Sequence, residues 1–370
     1  MATTELKEWL AEWPSVRESV EALVLSLKRR QVTGSYDTAK KTTMLLNKVI
    51  ETVEWSTAGE IMEKVRQLGH MLTKAHSHEL AIGNVVRRVL YIIREEYVNA
   101  LKAGPVDAAP KSTASSAPSS SRSNYQSRSL GTILTPGTDT DLSTPITDLK
   151  LSVNEGIAEL IEEIQSLHVN IADQAMEYIH ADEVILTFGQ STSVEEFLKT
   201  AAKKRQFKVI VVESAPTLNG QHMAHSLAEN GIDVTVIPDS AVFAMMARVN
   251  KVVIPAAAVV ANGGLIAQSG LQNIALSAKK YSVPVVCVAG LIKLCPLYAH
   301  DVDVVNELMA PSNIYNYEDT VENLEVLNPA YDYVPPEFVS LYITNTGAHQ
   351  PSYIYRLLAE YYSPQDYQLA

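Results

Sequence analysis

The chain has 370 residues, of which 46% are apolar and 19% charged, with a formal net charge of -12. That length accommodates two domains with separate cores, and the acidic balance excludes non-specific binding to nucleic acid or to an anionic membrane, which both need a positive field. No apolar run approaches a bilayer span, the start "MATTELKEWL" has neither the basic nor the apolar region of a secretory signal, and two cysteines, Cys287 and Cys295, suit a reducing compartment; a cytosolic protein is expected.

Residues 1–181 are predicted to be helical. Val16, Val20, Leu23, Val24 and Leu27 recur on one helix face after Pro14 at a first turn. "DTAKKTTMLLNKVIETV" and "AGEIMEKVRQLGHMLTKA" read as two further helices, and Ile82, Val85, Val86, Val89, Ile93 and Tyr97 mark another that Gly104-Pro105 stop. From about 104 to 147 the chain is rich in Ser, Thr, Pro and Ala, with almost nothing to bury. Such a segment cannot repay its ordering entropy, so a disordered loop is expected. Its serines are candidate phosphate acceptors, with a solvated spacer as the simpler reading. Helical periodicity returns at Ile157, Leu160, Ile161, Ile164, Leu167 and Ile171 and runs to His180.

From residue 182 to 370 the pattern changes to apolar runs separated by helix-like stretches: "EVILTF", "FKVIVVES", "IDVTVIP", "KVVIPAA" and "VPVVCVA". Each of the first four is read as passing into a helix. Near-continuous apolar strands with helical crossovers predict an α/β domain with a doubly wound, mainly parallel, Rossmann-like sheet covered on both faces. Ser193 and Glu196 have capping-box spacing, which places a helix start just after the loop "TFGQSTS". A late strand "FVSLYITN" and a closing helix "PSYIYRLLAEYY" complete the domain.

Ligands in such sheets sit at the carboxyl ends of the strands, which directs attention to the loop Phe188, Gly189, Gln190 and Ser191. It holds no acid, base, cysteine or lysine. The turn "ANGGLIAQSG", with Asn262, Gly263 and Gly264, offers amides to a phosphate, but no Walker lysine or serine follows and a structural turn is the simpler reading. His70, His76 and His78 lack a fourth ligand and read as solvated residues at a helix end; no metal and no cofactor are expected. Glu213, His222 and Asp239 are the remaining groups available for acid–base work, with satisfied polar positions as the simpler reading. Cys287 and Cys295 match neither redox nor zinc spacing. The acidic stretches "DVDVVNE" and "NYEDTVENLE" read as exposed. Tyrosines crowd the C-terminal end ("PAYDYVPPEF", "PSYIYRLL", "EYYSPQDY"), and amphipathic aromatics in such density suit a protein interface, the alternative being a seal over the sheet.

"RVNKVVIPAAAVVANGGLIAQSG" and "YDYVPPEFVSLYITNTGAHQPSYIYRLLAEYY" closely resemble the regulatory subunits of eukaryotic translation initiation factor 2B, the guanine-nucleotide exchange factor for initiation factor two. The resemblance covers 182 to 370 closely and the helical part more loosely. That superfamily includes isomerases of methylthioribose 1-phosphate and ribose 1,5-bisphosphate. They place a catalytic cysteine in "T-x-C-N", where this chain has Gly189, and an aspartate in "G-A-D-R", where it has Ala257. Their "N-K" becomes Ala267-Gln268 and their early "R-G" becomes Thr33-Gly34. The resemblance therefore implies a pocket without chemistry, in a subunit that pairs with homologous alpha and delta subunits and helps hold gamma and epsilon. It also implies that the helical domains sense the alpha subunit of the GTPase. Tyr353, Tyr355, Arg356 and Tyr361 are expected at a subunit interface. A sugar-phosphate isomerase using Glu213, His222 or Asp239, or a metabolite-binding module, is the alternative.

Overall fold

The computed structural model describes residues 4–103, 142–146, 148–299, 306–319 and 321–369. The chain starts with α1 (Thr4–Glu12), which the periodicity did not mark, and continues with α2 (Pro14–Lys28), α3 (Ser35–Thr52), α4 (Ala58–Ala75) and α5 (Leu80–Ala103). Pro14 occupies the first turn of α2, where its missing N–H has no intrahelical partner to lose. At the start of α4, Thr57 Oγ1 accepts from Glu60 N while Glu60 Oε2 accepts from Ser56 N, a reciprocal cap shifted by one residue.

Most of the expected 104–147 loop lies outside the described residues. Residues 142–146 do not: Leu142 O accepts from Gly59 N at 3.1 Å, and Leu142 and Ile146 pack on the helical core. The helix predicted to run to His180 is divided into α6 (Leu149–Asp173) and α7 (Ala175–Tyr178). Gln174 stands at the break, and its Nε2 donates to Thr344 O at 2.6 Å.

The seven-stranded sheet has the order β10-β9-β7-β4-β1-β2-β3. Its strands are β1 (Val184–Phe188), β2 (Lys208–Val212), β3 (Asp233–Ile237), β4 (Lys251–Pro255), β7 (Val285–Val288), β9 (Leu341–Thr344) and β10 (Gly347–His349), all parallel except the β9–β10 hairpin. The crossovers include α8 (Thr192–Ala202), α9 (Asn219–Glu229), α10 (Val242–Met246) and α11 (Leu271–Tyr281), and the chain ends after α12 (Ile354–Tyr361). Side chains alternate between two cores, as the strand period requires. Ile185, Val209, Val253 and Val286 join the core shared with α3 to α6 and α8, whereas Leu186, Ile210, Val252 and Cys287 face α10, α11 and α12. A third core links α1 to α4 through Leu6, Val16, Leu45 and Leu68.

The crossover after β4 departs from the expectation. The chain forms a hairpin of β5 (Ala258–Val259) and β6 (Leu265–Gln268) before it reaches α11, and β8 (Tyr331–Val334) pairs with β6 in a separate antiparallel sheet. Two-residue β5 is too short to carry a strand period, so nothing in the sequence pattern announced it. No described helix is long and apolar enough to cross a membrane.

Candidate functional site

Strand order reverses between β1 and β4: the chain leaves β1 for β2 on one side and β4 for β7 on the other. The crevice outside the carboxyl ends of such a pair is where open α/β sheets bind ligands. Gly189 follows β1 there, and Ala256 and Ala257 follow β4.

Gly189 is buried with φ +61, a left-handed conformation that favours glycine. A Cβ added to it would lie 2.7 Å from Gln268 Oε1, so the side chain of Gln268 occupies the space in front of the glycine. Gln268 Nε2 donates to Ser214 Oγ at 2.7 Å. Asp239 is engaged nearby, its two carboxylate oxygens accepting from the amides of Ser214 at 3.1 Å and Ala215 at 2.7 Å. Glu213 N donates to Ile237 O and its carbonyl accepts from Gly220 N, both at 3.0 Å, so its backbone holds β2 to β3 and to α9. Phe188 is buried under Gly270 in the second core, Gln190 is exposed, and half-buried Ser191 precedes α8 without a side-chain cap bond. The capping box read from Ser193 and Glu196 is absent, since α8 already starts at Thr192; buried Ser193 instead has its Oγ 3.1 Å from His168 Nδ1.

The Asn262-Gly263-Gly264 turn is the tip of the β5–β6 hairpin, and the amides of its two glycines are committed. Gly263 N donates to Val260 O at 2.8 Å and Gly264 N to Asn262 Oδ1 at 2.9 Å. Asn262 Nδ2 donates to Tyr333 Oη, and the Gly263 carbonyl accepts from Tyr342 Oη, both at 2.7 Å. Gly263 has φ +79, and a Cβ there would lie 2.5 Å from Pro351 O. The tip is four strand residues from Gln268, about 13 Å at ~3.3 Å per residue, so it is a separate feature from the Gly189 loop. Ala257 sits at the other end of the hairpin, with its N–H on Ile266 O at 2.8 Å.

His222 is exposed on α9. His76 and His78 are half-buried rather than solvated, and burial followed by the Arg30 charge lowers both pKa values. Among the described residues no group of three His, Cys, Asp or Glu is placed to hold a metal. Cys287 and Cys295 are buried free thiols, and burial pushes Cys287 up to about 12.

Two groups near the crevice escaped the sequence reading. Lys293 Nζ donates to Ala256 O at 2.8 Å, and burial lowers its pKa. His168, on α6, stacks on Tyr36 with ring centroids 4.7 Å apart, and burial lowers its pKa as well. His168 occupies a polar position on an otherwise regular helix, and Lys293 belongs to a 3₁₀ turn with no periodic signal, so only the fold brings them together.

The C-terminal tyrosines mostly serve the interior. Tyr342, Tyr361 and Tyr362 are at most 2% exposed and lie in the second core, while Tyr355 is 62% exposed. Tyr361, expected at an interface, is therefore a core residue. Arg356 pairs with Glu360 at 2.9 Å and stands 5.5 Å from the ring of Tyr353, which in turn stacks on His349 at 5.2 Å.

A family model described as the initiation factor 2 subunit family matches residues 31–351. The beta subunit of translation initiation factor eIF2B from Dictyostelium discoideum is 44% identical over 370 residues, covering 94% of this chain and 95% of that one. The corresponding subunit from Schizosaccharomyces pombe is 37% identical over 379 residues, covering 94% and 96%. Among solved structures, a chain of the tetrameric eIF2B beta2–delta2 complex from Chaetomium thermophilum is 27% identical with a TM-score of 0.70, covering 98% of this chain and 100% of that one. A family match over most of the sequence, joined to nearly end-to-end identity with named relatives, establishes that the chain belongs to the initiation factor 2 subunit family.

Proposed function

We propose that the chain is a non-catalytic, beta-type regulatory subunit of the exchange factor that serves translation initiation factor two, working in the cytosol. Its near full-length identity with relatives of that name supports the reading. The observation that carries the non-catalytic part is Gly189: proton transfer at a sugar carbon needs a positioned group of suitable pKa, and here a hydrogen atom faces a neutral amide. The carboxylate of Asp239 is occupied by two backbone amides, and His222 is exposed. No observation favours an isomerase over this reading.

The sheet-bearing part, 182–370, assembles with homologous alpha and delta subunits and helps hold gamma and epsilon. The helical part, 1–181, meets the alpha subunit of the GTPase. Tyr353, Tyr355 and Arg356 belong to the assembly surface. Exposed Tyr355 and the guanidinium of Arg356 beside Tyr353 support this, since aromatic and arginine side chains are enriched where protein surfaces meet.

Native purification of the tagged chain from its own cells, with mass determination of the complex, tests the reading. Co-purification of four further subunits with the GTPase is expected. A homodimer that turns over a sugar phosphate would overturn it. For the surface, Tyr355→Ala and Arg356→Glu should each weaken assembly, and normal complex yield from both would remove that face from the interface.

A further inference from the structure

Beyond α12, the last residues leave the sheet's second core and cross to the helical layer. Ile354, Leu357, Leu358, Tyr361 and Tyr362 belong to the core on one face of the sheet, yet Leu369 belongs to the core on the other. The crossing is held by four arginines, one from α4 and three from α5. Asp366, 0% exposed, receives Arg66 Nη2 at 3.0 Å on Oδ1 and Arg94 Nη2 at 3.3 and 3.2 Å on its two oxygens. Arg87 Nε donates to Tyr367 O at 3.1 Å. Arg88 Nη1 donates to Tyr361 O at 3.1 Å, with its guanidinium 4.2 Å from the Tyr361 ring centroid. Tyr362 Oη anchors the near end by donating to Leu294 O at 2.8 Å, and Leu369 closes the far end beside Gly83.

We propose that residues 362–369 form a strap whose buried carboxylate, Asp366, fixes helices α4 and α5 against the sheet. Apolar contact alone tolerates sliding between packed layers. Charge-assisted hydrogen bonds do not: one nitrogen of Arg94 is shared between the two carboxylate oxygens and one of Arg66 is aimed at Oδ1, so direction as well as distance is specified. The side chains arise from three separate elements, so a change in the orientation of α4 or α5 on the sheet must break at least one ion pair. On the functional reading above, the strap joins the part that meets the GTPase to the part that assembles, but the geometry stands without that reading.

Hydrogen exchange on the full chain tests the proposal. In Asp366→Asn, which keeps side-chain size but removes the charge, amides of α4 and α5 should exchange about tenfold faster or more, while those of β1, β2 and β4 keep their protection. A chain lacking residues 363–370 should show a larger effect with the same pattern. If Asp366→Asn accelerates only residues 354–369, the segment is a local structure and no strap. An even rise that includes the central strands would mean that Asp366 supports the whole fold and does not couple two layers. Should the truncated chain fail to fold, Arg94→Met must reproduce the Asp366→Asn pattern, and its failure to do so would overturn the assignment of Asp366 as the fixing group.

Discussion

Two buried polar sites of this chain are built on opposite principles. In the crevice after β1, the space before Gly189 is filled by a neutral amide, and polar contacts run from Gln268 to Ser214. Half-buried ionisable groups close to the crevice are pushed toward neutrality: desolvation lowers the pKa of Lys293 and raises that of Glu79. Around Asp366 full charges meet instead, with two arginines within 3.3 Å of a carboxylate that has no exposure. The fold places arginine–carboxylate pairs where layers join, whereas at the position that topology marks for a ligand the nearby Asp239 carboxylate is tied to backbone amides.

The largest expected effect lies at the charged site. Asp366→Ala leaves two guanidinium groups without their shared anion, and removing one partner of a buried pair costs about 3–5 kcal/mol. The low end applies here, near 3 kcal/mol, because the Arg66 and Arg94 side chains retain 29% and 17% exposure and can turn to water. Urea unfolding measures it. A loss below about 1 kcal/mol would place this pair with ordinary surface ion pairs and collapse the contrast.

At the neutral site, Gly189→Cys with Ala257→Asp introduces the cysteine and aspartate that the sequence resemblance aligns with these positions. We expect no turnover of methylthioribose 1-phosphate, because Gln268 and Thr33, which the resemblance aligns with the isomerases' phosphate-binding cations, carry no charge. Stability should fall by about 1–2 kcal/mol, from a left-handed side-chain-bearing residue and from the approach to Gln268 Oε1 at 2.7 Å. A coupled assay and a melt on the same protein read both outcomes, and measurable isomerisation would show that the crevice is only two substitutions from chemistry.

A smaller effect is expected from Gln268→Ala, about 1 kcal/mol, from the loss of a neutral hydrogen bond to Ser214. The informative quantity is its coupling to Gly189→Ala. With the amide gone, the glycine substitution should become milder, since only the backbone conformation then resists it. Strict additivity in a double-mutant cycle would show that Gln268 does not fill that space.

The two sites differ as much in legibility. The helices from Pro14 onward, the parallel strands and the emptiness of the Gly189 loop could be read directly, because each is a periodic pattern or the absence of a reactive residue type. The strap could not: Asp366 lies in "SPQDY", which reads as a polar tail, and its arginine partners are separated from it by about 270 to 300 residues. "YIYRLLAEYY" announced a helix but not which tyrosines face inward, so Tyr361 was placed at an interface when it belongs to the core. The β5–β6 hairpin was missed because its strands are too short for a period. From the sequence pattern the fourth apolar run therefore reads as entering a helix, and the glycine turn after it as offering free amides.

Histidine titration sharpens the contrast at its smallest scale. Burial, then the Lys293 charge, lowers the pKa of His168, with Glu196 and Asp37 acting in the opposite direction, and Tyr36 and Ser193 completing its surroundings. Burial lowers His76, His78 and His349 in the same direction. A base whose folded pKa lies below its unfolded value of 6.5 is protonated first in the unfolded chain. Its neutral form is therefore fully compatible with folding above 6.5, and stability is lost as pH falls from there toward the folded value. Glu79 acts with the opposite sign from 4.5 upward, because its raised folded pKa makes ionisation costly to the folded state. Comparing the urea midpoint at about pH 7.5 and pH 6 in the parent and in His168→Gln cancels the Glu79 contribution. The variant should lose less stability over that interval than the parent. An equal loss would mean that His168 titrates alike in both states, and that the neutral packing assigned to the crevice side of the molecule is not what holds it.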